Sequence, residues 1–335
     1  MKKIFLKFHL WLSVPFGIIV TLICFSGAML VLEPEAVKLL RHDVLYVDRP
    51  QHTALPIESL VRSVEQTLPE DVRVTGVTMY ADPEMACKVN LSKPRRAAVY
   101  VDQYTGEVKG LYERPAFFAT MLKLHRWLLD SRDDSGGVFW GRTVVGISTI
   151  VFVLVLLSGV VIWWPKTRRM LRNSLKITAS KGRHLLWRGL LLVMALTGLT
   201  WSFQWYSKGF YALFGVSEVP KSGAVAYAEQ AKKEKSKAKG DRNRAEGARE
   251  KGRNDAAACA MWQTAYDARN PEYEQITVSD GTAEVAFGGL GNQRAADKYT
   301  FDKSTGSITS ASPYADSAKS LKLRGWIMSV HMGTW

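Results

Sequence analysis

Three long apolar runs interrupt an otherwise polar chain. Leu10–Leu32 holds 23 residues without a charge, Val144–Trp164 holds 21 and Gly189–Tyr206 holds 18. A bilayer core takes about 20 apolar residues as helix, so each run reads as a transmembrane span. Trp163 and Trp164 end the second run, and Trp201, Trp205 and Tyr206 lie toward the end of the third, where amphipathic rings suit the wet edge of a bilayer. Lys2 and Lys3 ahead of the first run, with Ser26-Gly27-Ala28 inside it, imitate a cleavable signal peptide. The run is longer than a signal h-region and two more follow, so it reads as an uncleaved span.

Outside the runs the period changes. Ile57, Leu60, Val61, Val64 and Leu68 recur at helical spacing, and Val72–Tyr80 and Met85–Leu91 read as strands. A hairpin follows at Val99–Val108, with Asp102 ahead of a turn carrying Thr105-Gly106. A shift of 200 residues takes Thr105-Gly106 to Thr305-Gly306, where Tyr299–Ile308 repeats the pattern of strand, Asp, turn and strand. Ahead of that copy, Ala256–Ala268 reads as helix and Tyr273–Ser279 and Thr282–Phe287 as strands. Each set is an α+β unit with one helix over an antiparallel sheet, and the two stand in tandem. The first and third apolar runs are related by a shift near 175. The difference matches the 25 residues of Glu229–Arg253, a Lys/Glu/Gly/Ala stretch without an aromatic or β-branched residue, which reads as a disordered insertion.

The expected architecture is a membrane α-helical bundle with three visible spans and two extracytoplasmic α+β domains. An N-terminal tail and first span occupy 1–32, the first outside domain 33–115, and an interfacial helix and loop 116–143. The second span occupies 144–164, a basic loop 165–188 and the third span 189–206. The second outside domain, with its insertion at 229–253, occupies 207–320, and a further helix starts at 321–335.

Charge sets the orientation. Lys2, Lys3 and Lys7 precede the first span, and seven Lys/Arg between Lys166 and Arg183 fill the loop between the second and third. Basic residues in short flanks stay inside, so the N-terminus and this loop are expected to face the cytoplasm. The net charge of +14 is otherwise concentrated in ten Lys/Arg from Lys232 to Arg253. Neither cluster interleaves aromatics into a basic groove, which argues against nucleic acid. The three cysteines form no CxxC or CxxCH, so zinc-ribbon, thioredoxin and covalent c-type haem chemistry lack their motifs. Cys87 and Cys259 read as two unrelated thiols rather than a disulfide.

Four of the six histidines occupy matching places. His9 and His184 stand at the cytoplasmic entrances of the first and third spans, while His125 and His331 follow the two outside domains. Topology pairs His9 with His184 near the inner face and His125 with His331 near the outer face. A haem iron takes two axial imidazoles from opposite sides of a helix-lined cleft. Two such centres would divide a hydrocarbon core of about 30 Å into shorter electron steps. No Cys or carboxylate accompanies these histidines in their motifs, which disfavours a zinc or copper site. His42 and His52 lack a matching partner and are expected to face solvent. Ser26-Gly27, Ser158-Gly159 and Thr197-Gly198 lie within the spans, where small residues admit a neighbouring helix or a flat cofactor. Arg126, Arg183 and Arg188 are candidates for haem propionates or lipid headgroups. No GxGxxG dinucleotide fingerprint occurs, so the electron donor is expected to be a quinol or a separate cytoplasmic reductase.

The chain resembles the PepSY-associated transmembrane family. The matching pieces are Lys123–Leu128 with its His-Arg-Trp-Leu core, the spans bearing Ser-Gly or Thr-Gly, and the Tyr-Val-Asp-x-x-Thr-Gly-Glu hairpin at 100–107. The resemblance covers nearly the whole chain apart from 229–253. It implies PepSY-like outside domains and an inner-membrane oxidoreductase of iron uptake, with two haems b held by His9, His184, His125 and His331. The implied acceptor is a ferric siderophore or another periplasmic oxidant. Family members continue past the motif matching His331-Met332-Gly333 into a further span, so a fourth helix, truncated or lacking here, is also expected. The outer haem depends on it more than the inner one. The family's link to peptidase inhibition implies an alternative, a non-enzymatic membrane-anchored protein that binds or inhibits a peptidase or senses a ligand.

Overall fold

The computed structural model describes residues 2–48, 54–93, 97–131, 139–163, 180–217, 261–269, 272–279, 281–288, 291–302 and 307–334. Most of the basic loop, the 229–253 insertion, the Thr305-Gly306 turn, His52 and Cys259 lie outside them, as do the side chains of Arg183 and His184. The chain forms two compact units. One comprises Met1–Ala36, Arg114–Val219 and Trp326–Trp335, the other Val37–Glu113 and Pro220–Gly325.

The first unit is helical. α1 runs Lys2–Leu40, and α4 (Ala116–Trp127), α5 (Trp140–Trp163), α6 (Ser180–Ser202) and α7 (Gln204–Leu213) follow it after two short helices of the other unit. α9 (Lys319–Met332) ends in this unit. Among the described residues, two helices are long and apolar enough to cross a membrane, Lys3–Leu40 and Trp140–Ile162. Trp11, Val14, Ile18, Leu22 and Phe25 of α1 are exposed, a surface that is costly in water and suits hydrocarbon. At 39 residues and about 1.5 Å per residue, α1 extends well beyond the apolar run that predicts it.

The third apolar run departs from its expectation. Its helix stops at Ser202 instead of running on to Tyr206. Phe203 leaves the helix in an extended conformation (φ −126°, ψ 129°) and α7 restarts at Gln204. Phe203 lies against Gly146, where any Cβ would stand 2.6 Å from the ring. The Arg142 guanidinium donates to the Trp201 carbonyl at 2.7 Å, satisfying an acceptor that the broken helix frees. The break therefore exchanges one turn of helix for side-chain packing and a charged hydrogen bond.

The second unit is one antiparallel sheet of eight strands in the order β4-β3-β2-β1-β5-β6-β7-β8. β1 (Val74–Tyr80), β2 (Cys87–Leu91), β3 (Ala98–Val101) and β4 (Val108–Tyr112) form one half, with α2 (His42–Leu45) and α3 (Ile57–Glu65) before them. β5 (Tyr273–Ser279), β6 (Thr282–Phe287), β7 (Ala296–Phe301) and β8 (Ile308–Ser312) form the other. α3 turns Ile57, Leu60, Val61 and Val64 onto Val77, Val89, Val99 and Val101. Each such side chain contributes about 1.5–3 kcal/mol when fully buried. In the second half α8 (261–267) lays Met261 and Ala265 on Ile276, Val278, Val285 and Phe301, and Trp262 packs against both cores. Cys87 is a free thiol in the first core, where burial pushes its pKa up to about 12. His42 is exposed, as expected, and stacks on Tyr46 at 4.5 Å.

β1 and β5 join the halves, with Val77 opposite Val278 and Thr78 opposite Thr277. The 200-residue shift of the hairpins exchanges these two pairs, so the junction lies on a local two-fold. The hydroxyls of Thr78 and Thr277 meet there at 2.9 Å. Both hairpins carry an irregularity at the same place, between Tyr100 and Val101 and between Thr300 and Phe301. Gly76 is needed at the junction, because a Cβ would lie 2.7 Å from the Val278 carbonyl oxygen.

Gly76→Val is expected to destabilise the protein by about 1–3 kcal/mol through overpacking, read as a lower thermal unfolding midpoint in detergent. Cys87 is expected to resist maleimide at pH 8 in folded protein and to react on unfolding, when its pKa returns to about 8.5, as peptide mass spectrometry would show.

Candidate functional site

All the described candidate histidines lie in the helical unit, and each rests on a small residue of a neighbouring helix. α4 is anchored by Arg114 just before its start, which forms a bidentate ion pair with Glu33 of α1. Eleven residues later His125 reaches Ile23 and Gly27, so α4 runs antiparallel to α1, back along the apolar run. The turn after Trp127 puts Leu128 and Leu129 at φ 50° and 67°, a left-handed conformation costing roughly 1–2 kcal/mol per residue. Asp130 then accepts the Gly141 N–H at 2.7 Å, tying the start of α5 to the end of α4.

The His125 Nδ1 stands 2.9 Å from the Ile23 carbonyl oxygen, and the His331 Nδ1 stands 3.0 Å from that of Met194. A carbonyl only accepts, so Nδ1 carries the proton in both neutral rings and Nε2 keeps a lone pair. His9 Nδ1 lies 2.9 Å from the Ser158 hydroxyl, which itself donates to the Val155 carbonyl at 2.9 Å. Its oxygen therefore accepts from His9, and the same tautomer follows. In each case a glycine lies under the ring. A Cβ on Gly27 would meet His125 Cε1 at 2.9 Å, one on Gly198 would meet His331 Cε1 at 3.1 Å, and one on Gly159 would meet His9 Cε1 at 3.6 Å.

The His125 and His331 sites are copies. A shift of 171 residues takes Ile23, Ser26 and Gly27 to Met194, Thr197 and Gly198. Ser26 donates to the Ile23 carbonyl that His125 uses, and Thr197 donates to the Met194 carbonyl that His331 uses. The two rings come together with their centroids 6.1 Å apart and a tilt of 53°. Trp201 meets His331 edge-on at 5.1 Å. His184 lies on α6, with its side chain outside the described residues, so the structure leaves its meeting with His9 undescribed. Arg126 lies over the Trp127 ring at 5.1 Å, and Arg188 stands beside His9 at Gly159.

This arrangement can hold a metal between two neutral imidazoles. The carbonyl and hydroxyl partners supply the outer layer that orients such ligands and raises their basicity. Among the described residues no group of three or more His, Cys, Asp or Glu that could hold a metal ion occurs. The sequence marks the Ser-Gly and Thr-Gly pairs as close-packing points. It does not reveal that imidazoles cover them, or that Ile23 and Met194 orient the rings. The recurrence at 171 residues is the signal that could have found them.

A protein family described as the PepSY-associated TM region matches residues 6–335. No curated protein matches the chain.

Gly→Ala in an open helix position gains up to about 1 kcal/mol of helix propensity. Gly17 has nothing within 4 Å, so Gly17→Ala is expected to be neutral or stabilising. Gly27→Ala and Gly198→Ala are expected to lower the thermal midpoint, because His125 and His331 must move.

Proposed function

The chain belongs to the PepSY-associated transmembrane family, and on that premise we propose that it is a haem-b electron-transfer protein of the bacterial inner membrane. It takes electrons from a quinol or a cytoplasmic reductase and delivers them to an acceptor outside, for which the family resemblance favours a ferric siderophore. α1, α5 and α6 are its three spans. The N-terminus and the basic 165–188 loop face the cytoplasm, in keeping with their Lys/Arg excess. The eight-stranded sheet comprises two PepSY-like domains on the far side.

The observation carrying this reading is the 6.1 Å separation of His125 and His331, each with Nδ1 held by a helix carbonyl. His125 and His331 would hold one haem, and His9 and His184 the other. Haem supplies reversible one-electron chemistry when bound, at a potential set by its ligands and surroundings. Ile23 and Met194 hold the Nδ1 protons, while Gly27 and Gly198 let the Nδ1–Cε1 edge of each ring approach its helix. The apolar helices keep water away from the ligands. Arg114 and Glu33 position α4 and through it His125.

A second reading has its own observation. All five residues of the edge strand β8 are exposed, and an open edge accepts an extended peptide. On that reading the chain is a non-enzymatic, membrane-anchored protein that binds or inhibits a peptidase or senses a ligand.

Reduced-minus-oxidised absorbance of detergent-purified protein separates the two. Haem bands are expected, and His125→Ala and His331→Ala should each abolish the same spectral component, with His9→Ala abolishing the other. Colourless protein from haem-replete cells would favour peptide recognition, and loss of different components from His125→Ala and His331→Ala would refute their pairing.

A further inference from the structure

Three helices converge at Gly159. A side chain starting there would find His9 Cε1 of α1 at 3.6 Å and the Arg188 Cζ and Nε of α6 at 3.8 and 3.9 Å. His9 is held by its hydrogen bond to Ser158, the residue before Gly159. Among the described residues, Arg188 makes one long hydrogen bond, from Nη1 to the Gly159 carbonyl at 3.4 Å, and no salt bridge. The guanidinium carries five donors in a planar fork that matches a carboxylate. Half-buried between apolar helices, that fork can meet a ligand's acidic group with matching geometry.

We propose that Arg188 binds an acidic group of the macrocycle held at His9, a propionate carboxylate, and so forms part of a binding site with Gly159 as its floor. The inference rests on the haem reading above. The same fork could serve an anionic oxygen of a lipid headgroup. Convergence of His9 and Arg188 on one glycine favours the macrocycle, because a headgroup contact requires no imidazole beside it.

The test uses full-length protein carrying His125→Ala and His331→Ala, so that only the His9 site loads. The detergent-solubilised apoprotein is titrated with haem b and with haem b dimethyl ester, and binding is followed by absorbance. Removing the charge-assisted contact is expected to weaken binding about tenfold, so the ester should bind about tenfold more weakly than haem b. With Arg188→Gln the two should bind alike, and Arg188→Lys should restore part of the difference. Folding of Arg188→Gln is checked in the otherwise native chain by retention of the spectral component that depends on His125 and His331. A tenfold ester penalty that persists in Arg188→Gln overturns the inference and leaves the haem reading standing. Failure of either porphyrin to bind protein that retains Arg188 overturns both.

Discussion

Where α4 meets α1, the imidazole of His125 lies over Gly27 and gives its Nδ1 proton to the Ile23 carbonyl. The same contact recurs where α9 meets α6, with His331, Gly198 and Met194. In an apolar surrounding a ring nitrogen without a partner is expensive, so the carbonyl is an obligatory acceptor. A carbonyl inside a helix already takes part in the helix ladder. Ser26 and Thr197 back-bond to these same two carbonyls, concentrating polar contacts at one turn of each helix. The glycine one residue later removes the only side chain that would keep the imidazole away. Tautomer, ring position and helix spacing are therefore set together by one interaction, and the free Nε2 is its chemical consequence.

The rest of the helical unit is arranged to bring these rings into place. Arg114 and Glu33 fix the start of α4 on α1, and the left-handed Leu128-Leu129 turn with the Asp130–Gly141 contact fixes its end. On the other copy, the break at Phe203 ends α6 at Ser202, with Trp201 edge-on to His331. Strain at Leu128 and Leu129 and the interrupted third apolar run both lie next to the paired rings, a place where local cost is tolerated for geometry.

Duplication shapes both units, but the copies have diverged where they meet their surroundings. The β1–β5 junction keeps its two-fold closely enough that the Thr78 and Thr277 hydroxyls touch. Yet Gly76 answers to Ile276 in the other copy, since only one side of the junction has a backbone carbonyl too close for a Cβ. The sheet edges differ as well, with β4 half-buried and β8 exposed throughout. The asymmetry of the two edges shows where the copies have become unlike.

Much of this was determined by residue order alone. Uncharged runs of hydrocarbon length read as membrane helices, alternating patterns read as sheet, and Thr-Gly turns 200 residues apart betray the repeat, because each depends on local periodicity and solvent preference. The sequence also matches His125 with His331, whose rings meet, while the side chain of His184 lies outside the described residues. Tertiary structure alone decided that eight strands share one sheet, since edge pairing between β1 and β5 joins residues about 200 apart without a local signature. It also decided that the third apolar run breaks at Phe203, because the void at Gly146 on another helix outweighs the continuity of the run. Above all, it brought His125 and His331 to 6.1 Å and selected their tautomers. Those outcomes depend on which carbonyl and which glycine face each ring, and helix packing, not sequence spacing, sets that.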